Sequence, residues 1–136
     1  LNKTNNAIIV GAGNLGQAIA NYSGFRGSGF ILKGMFDINP RLVGISIRDI
    51  KIMDIDEMSE FIKKADINVG IICTPKEGAQ EVADRLTGER IKAIWNFAPT
   101  DLDVPEDVIV ENVHLSESLM VLAYLMNQRE NAEDNK

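Results

Sequence analysis

Short apolar runs alternate with amphipathic stretches along this chain. Ala7 to Val10 is an apolar run that ends at a glycine, and it predicts a strand buried on both faces. Leu15 to Tyr22 follows, with Leu15, Ala18, Ile19 and Tyr22 at spacings of three and four, the period of a helix with one buried face. Gly24-Phe25-Arg26-Gly27-Ser28-Gly29 breaks that helix. Phe30 to Phe36 predicts a second strand despite Lys33 and Gly34, and Asp37-Ile38-Asn39-Pro40 predicts a turn. Ile50 to Met53 is a short strand. Asp54 can cap the next helix, Glu57 completes a capping-box pattern, and Ile55, Met58, Phe61 and Ile62 form the buried stripe. Val69 to Cys73 is another buried strand. Thr74 is a natural N-cap, and Pro75 fits a first helical turn, where its missing N–H costs nothing. Ala79, Val82, Ala83 and Leu86 face the core, and Gly88 stops the helix. Ala93 to Phe97 and Val108 to Val113 are the last two strands.

Strands that alternate with helices, and are apolar throughout, signal a mostly parallel sheet covered on both faces: an α/β, Rossmann-type, doubly wound fold. Residues 98 to 107 are too few for a helical crossover, which leaves the direction of the final strand open. Ser116 to Gln128 reads as a terminal helix, and Leu119 to Met126 is apolar on every side. Such a helix is either buried in its own domain with some surface apolar residues or enclosed by a second subunit; the second reading is preferred. The expected organisation is a dinucleotide-type domain over 1–113, a dimerisation helix over 114–128 and a disordered tail over 129–136.

Length and composition narrow the function. The 136 residues suit one domain, and the 45% hydrophobic content is ordinary for a packed core. No apolar run approaches the ~20 residues of a membrane span. No charged region precedes the first apolar run, so no signal peptide is expected. The net charge is −6, from 14 Lys+Arg against 20 Asp+Glu, with no basic cluster longer than Lys63-Lys64. Nucleic-acid binding needs a basic face, so direct binding by this chain is not expected. Cys73, the single cysteine, cannot form an internal disulfide and reads as a buried thiol in a reducing compartment. One histidine, His114, excludes a multi-histidine metal site.

The chemistry-bearing motif is Gly11-Ala12-Gly13-Asn14-Leu15-Gly16. A glycine-rich hexamer alone is weak evidence, but here a buried strand precedes it and an amphipathic helix follows. Gly11 permits the tight turn, Gly13 lets the backbone approach a pyrophosphate, and Gly16 lets the helix pack closely on the sheet. The N–H groups at the helix start then receive the phosphate charge. Asp37, 21 positions after Gly16, ends the second strand, where an acid hydrogen-bonds ribose hydroxyls. It would repel a 2′-phosphate and so favours NAD(H) over NADP(H); Arg41 pulls the other way. The ends of the other strands, Cys73-Thr74-Pro75 and Asn96-Phe97-Ala98-Pro99, should line the same crevice. Thr74 caps its helix, binds ligand, or does both. Asn96 offers an amide to a nicotinamide carboxamide. Phe97 is core or pocket wall with equal weight. A positioned acid or base for hydride transfer is missing: His114 lies beyond the last strand, and there is no Tyr-x-x-x-Lys pair. A cofactor held but not used points to sensing, or to a piece of a larger enzyme.

These residues resemble the redox-sensing repressor family Rex. The resemblance rests on Gly11 to Gly16, Asn21-Tyr22, Phe25, Gly34-Met35-Phe36-Asp37, Cys73-Thr74-Pro75, Asn96-Phe97-Ala98-Pro99 with Val104-Pro105, and Val110-Glu111-Asn112-Val113. It covers nearly the whole chain. It implies a cytoplasmic homodimer and not an enzyme. An N-terminal winged-helix domain outside this chain would bind operator DNA, and the last helix would be exchanged between subunits. NADH would close the dimer and release DNA, whereas NAD+ would permit DNA binding. Tyr22 matches a family tyrosine whose hydrogen bonding follows the cofactor's redox state. In some members it pairs across the dimer with an aspartate, where this chain has His114 instead. Leu115 stands where the family places an apolar side chain near the partner's nicotinamide pocket. The competing readings are the cofactor domain of an NAD-dependent dehydrogenase and a CoA-binding Rossmann domain.

Overall fold

A computed structural model describes residues 4–22 and 24–113, and in the C-terminal segment residues 122, 125–126 and 129–133. The elements run β1 (Asn5–Val10), α1 (Asn14–Ala20), α2 (Gly24–Gly27), β2 (Phe30–Asp37), β3 (Ser46–Ile47), β4 (Ile50–Asp54), a 3-10 turn (Ile55–Glu57), α3 (Met58–Lys64), β5 (Val69–Ile72), α4 (Lys76–Gly88), β6 (Ala93–Asn96) and β7 (Ile109–Asn112). One sheet has the order β3-β4-β2-β1-β5-β6-β7, parallel throughout except for β3 against β4. This is the expected Rossmann-type doubly wound fold. The strand order reverses at β1, so the crevice beyond the carboxyl ends of β1 and β5 is the place for a ligand.

Alternation along β1 builds the two halves of the core. Ile8 and Val10 join Phe36 and Ile72 under α3 and α4, meeting Met58, Ile62, Val82 and Leu86. Ala7 and Ile9 point the other way, to Met35, Ile71 and Ala20 of α1. The buried face of α4 is the expected Ala79, Val82, Ala83 and Leu86. That of α1 is not: Gly16 and Ala20 are buried, while Ala18 and Tyr22 face outward. The helix is rotated because Gly16 must lie against the loop. A Cβ there would stand 2.0 Å from the Gly11 carbonyl oxygen.

Local departures from expectation have local causes. The registers Ala7↔Leu32 and Ile8↔Gly34 leave Lys33 as an extra residue in β2, a bulge that accommodates a lysine in an otherwise apolar strand. Gly24–Gly27 forms a short helix rather than only a break. A hairpin unseen in the pattern adds β3, turning through Arg48 and Asp49 at positive φ. Asp54 caps as expected, accepting from the Asp56 N–H at 2.9 Å. Thr74 does not cap: α4 starts at Lys76 after Pro75, with no side-chain cap. Gly88 stays helical, and Arg90 takes the left-handed turn.

The direction of the last strand is settled. β7 runs parallel to β6, reached by an irregular crossover that packs Leu102 and Val104 on the α4 side. Gln80 of α4 holds that crossover by donating to the Asp103 carbonyl and accepting from its N–H, both at 2.8 Å. The expected disordered tail is helical over 129–133. Most of the terminal helix expected over 116–128 lies outside the described residues. Of that stretch, Leu122, Leu125 and Met126 are helical and more than half exposed.

Candidate functional site

Residues that end the central strands converge on one crevice. Phe36, Val10, Ile72, Asn96 and Asn112 form one row across β2, β1, β5, β6 and β7. The residue after each of them, namely Asp37, Gly11, Cys73, Phe97 and Val113, lines a cavity of about 990 Å³. Sheet topology alone therefore aligns five side-chain positions along the mouth. Gly13, Asn14 and Leu15 form one lip, Thr74 and Pro75 the facing one. At the β2–β4 end the wall is Asp37, Ile38, Asn39, Leu42 and Ile55, with Val82, Glu81 and Arg85 from α4. At the β6–β7 end it is Phe97, Pro99 and Val113.

The glycine loop is shaped by close backbone approach. Gly11 has φ +107, and a Cβ on it would come within 2.7 Å of the Cys73–Thr74 backbone. Only glycine meets both demands without strain. Nothing lies within 4 Å of a Cβ placed on Gly13, so that position opens on the cavity rather than on packed protein. Asp37 accepts the Ala12 N–H through Oδ2 at 2.6 Å and the Asn39 N–H through Oδ1 at 2.8 Å. Arg41, the cation that would welcome a 2′-phosphate, does not line the cavity. Arg85, the cavity's basic residue among those described, stands 3.9 Å from Asp56.

Thr74 and Cys73 occupy the centre. The Thr74 hydroxyl is buried and has no hydrogen-bond partner among the described residues. The capping role is not taken up, and the hydroxyl stands beside the cavity that Thr74 lines. Burial pushes the Cys73 thiol up to about 12, so it stays neutral at physiological pH.

Asn96 corrects an expectation. It is 1% exposed, and both of its amide hydrogens are engaged, by the Thr100 carbonyl at 3.0 Å and by Asn112 Oδ1 at 2.9 Å. Its oxygen accepts the Ala98 N–H at 3.0 Å. No N–H is left for a carboxamide; Asn96 instead ties the β6 end to the crossover and to β7. Ala98 is buried in the core. Ala12 and Gly16 are buried behind the loop rather than on the cavity surface. Phe97 is both wall and core, packed on Trp95 with ring centroids 4.7 Å apart. Tyr22 is elsewhere: it borders a second, apolar groove of about 430 Å³ with Phe25, Trp95 and Ile109, on the sheet face away from α4. His114 and Leu115 lie outside the described residues.

Sequence reasoning missed Ile38, Leu42, Ile55, Val82 and Arg85 as cavity residues. Ile55 and Val82 carry the same helical-face signal as core positions, so nothing local separates them. Ile38 directly follows Asp37, and that adjacency was the available clue.

The open sheet, its switch-point crevice and the glycine loop define a Rossmann-type class of domain. Residues 2–100 match the family model described as CoA binding domain, and the chain belongs to that family. The chain is also similar to Rex repressors, as the loop and strand-end motifs anticipate. It is 61% identical over 130 residues to the redox-sensing transcriptional repressor Rex of Thermoanaerobacter sp. (strain X514), covering 96% of this chain and 58% of that one. The crystal structure of RSP, a Rex-family repressor, in complex with β-NADH is 58% identical, with a TM-score of 0.83 over 100% of this chain and 66% of that chain. RSP in complex with β-NAD+ and operator DNA is similar at 58% identity and a TM-score of 0.83, over 98% of this chain and 62% of that chain. The chain thus spans about three-fifths of the length of these proteins. Among the described residues no helix is long and apolar enough to cross a membrane, and no group of three or more His, Cys, Asp or Glu could hold a metal ion.

Proposed function

We propose that this chain is the NAD(H)-binding sensor part of a redox-responsive transcriptional repressor of the bacterial cytoplasm. The observation that carries this is the cavity at the strand-order switch, in a chain 58% identical to a repressor solved with NADH. The adenosine ribose sits at Asp37, the pyrophosphate between Gly13 and Thr74, and the nicotinamide at Phe97, Pro99 and Val113. NADH and NAD+ differ by one positive charge on that ring. Among the described residues the apolar end, with a neutral Cys73 nearby, offers the cation no counter-charge and makes its desolvation unfavourable. NADH is therefore the tighter ligand, and the difference in affinity between two dimer geometries is the switch.

The partner is a second copy of the chain, and operator DNA is reached through a segment outside these residues, in keeping with the net charge of −6. Leu122, Leu125 and Met126 stand at the three-and-four spacing of an apolar helix face and are 54–58% exposed. The apolar groove at Tyr22, Phe25 and Trp95 is a surface suited to receive such a face. Deleting residues 116–136 abolishes dimerisation on this reading; a truncated chain that remains dimeric by light scattering refutes the exchanged helix. Thermal-shift titration tests the ligand class, with NADH raising the melting temperature and NADPH and CoA not doing so. Stabilisation by CoA alone would return the site to the chemistry that the family description names.

A further inference from the structure

We propose that Asp37 has a second role, as the latch that holds the glycine loop in its binding shape before any ligand arrives. The inference rests on the reading of the cavity as a dinucleotide site. Two successive amides leaving β1 are fastened to the end of β2: Gly11 N–H to the Phe36 carbonyl at 2.8 Å, and Ala12 N–H to Asp37 Oδ2 at 2.6 Å. The other side of the Ala12 residue is held too, since Gln17 Nε2 donates to its carbonyl at 2.9 Å. Asp37 is itself oriented by the Asn39 N–H on Oδ1. Gly13, next in the loop and the N-cap of α1, brings no side-chain cap to the helix. The Ala12 N–H is thus held by one carboxylate side chain from a different strand. A charge-assisted bond of this length is among the stronger ones available to a backbone amide.

A carboxylate accepts about four hydrogen bonds, so two taken by Ala12 and Asn39 leave two for ribose hydroxyls. The two roles coexist on one side chain, and ribose recognition alone would not require the first. A consequence for specificity follows. Removing the acid to admit a 2′-phosphate also unlatches the loop, so Asp37→Ser weakens binding of NADH without producing a good NADPH site.

The probe that separates the roles is 2′,3′-dideoxy-ADP, which has phosphates and adenine but no ribose hydroxyl for Asp37 to bind. Calorimetric titration of wild type, Asp37→Asn and Asp37→Ser is paired with amide exchange of the ligand-free proteins. The latch predicts that Asp37→Ser loses about tenfold in affinity for the dideoxy nucleotide. The Ala12 amide then exchanges at least about tenfold faster, with Asp37→Asn intermediate and the β5 and β6 amides unchanged. Unchanged dideoxy-ADP affinity in Asp37→Ser overturns the latch, whatever the exchange rates show. Faster exchange across the whole sheet also overturns it, because that is a folding role. If the wild type binds neither NADH nor dideoxy-ADP, the dinucleotide reading fails, and the Ala12 exchange rate alone decides the latch.

Discussion

Replacing Gly13 by alanine separates what the loop does for the fold from what it does for a ligand. Gly13 has φ −73 and ψ −163, a conformation that alanine adopts without strain. A Cβ there meets no protein atom within 4 Å. Two small terms act on stability. Alanine restricts the unfolded chain, a gain of about 0.4–1 kcal/mol. It is also a poorer residue at a helix N-cap, a loss of up to about 1 kcal/mol. The net change stays within about 1 kcal/mol of zero. The cavity side is different, because the methyl group projects where a pyrophosphate would come to hydrogen-bond distance of the backbone. A lost phosphate contact or a forced shift of the ligand lowers NADH affinity about 10–100-fold, or ~1.4–2.8 kcal/mol. Gly16→Ala is the contrasting variant. Its Cβ would sit 2.0 Å from the Gly11 oxygen, so the loop or α1 must move by about 1 Å. That overpacking costs about 1–3 kcal/mol, offset in part by the ~1 kcal/mol by which alanine favours a helix. Urea denaturation and fluorescence titration with NADH, run on both variants, read the two quantities. Gly13→Ala with full NADH affinity would refute the placement of the pyrophosphate.

Three further outcomes follow from the site. Asn96→Ala leaves the buried Ala98 N–H without its acceptor and frees the half-buried Thr100 carbonyl and the exposed Asn112 side chain, and should cost about 1–3 kcal/mol by urea denaturation; a loss under ~0.5 kcal/mol contradicts its role as a tie. Thr74→Val removes a buried hydroxyl that has no partner, so stability should hold or rise while NADH affinity falls about 3–10-fold; unchanged affinity removes Thr74 from the ligand site. Cys73, with its pKa raised by burial to about 12, should alkylate at pH 8 about a thousandfold more slowly than a free thiol. Because that folded-state value is raised, the stability gained from the neutral thiol is complete below the unfolded pKa of about 8.5 and is lost as pH climbs towards 12.

Much of this was legible in the sequence because it depends on local pattern. Continuous apolar runs mark parallel strands buried on both faces, and the α4 stripe from Ala79 to Leu86 follows directly from the helical period. The glycine loop and Asp37 are readable because each stands at the end of such a run. The rest depends on relations between distant segments. The buried face of α1 is set by the Gly16–Gly11 contact, and the apolar period of Leu15, Ala18 and Tyr22 carries no trace of it. Asn96 stands beside the cavity in sequence but is taken up by Thr100 and Asn112 across the crossover. The β3–β4 hairpin turns on Arg48 and Asp49, which lack the Asn-Gly or Asp-Gly signature of such turns. The parallel course of β7 comes with an irregular crossover fastened by the Gln80–Asp103 bonds, a pairing no spacing rule reveals.

The central claim is that the apolar end of the cavity distinguishes the two redox states of one cofactor. Isothermal titration of the chain with NADH and with NAD+, at equal pH and ionic strength, measures that directly. A preference for NADH of at least about tenfold, or ~1.4 kcal/mol, is the result the account predicts. Equal affinities would contradict it and leave a dinucleotide-binding domain with no means of sensing.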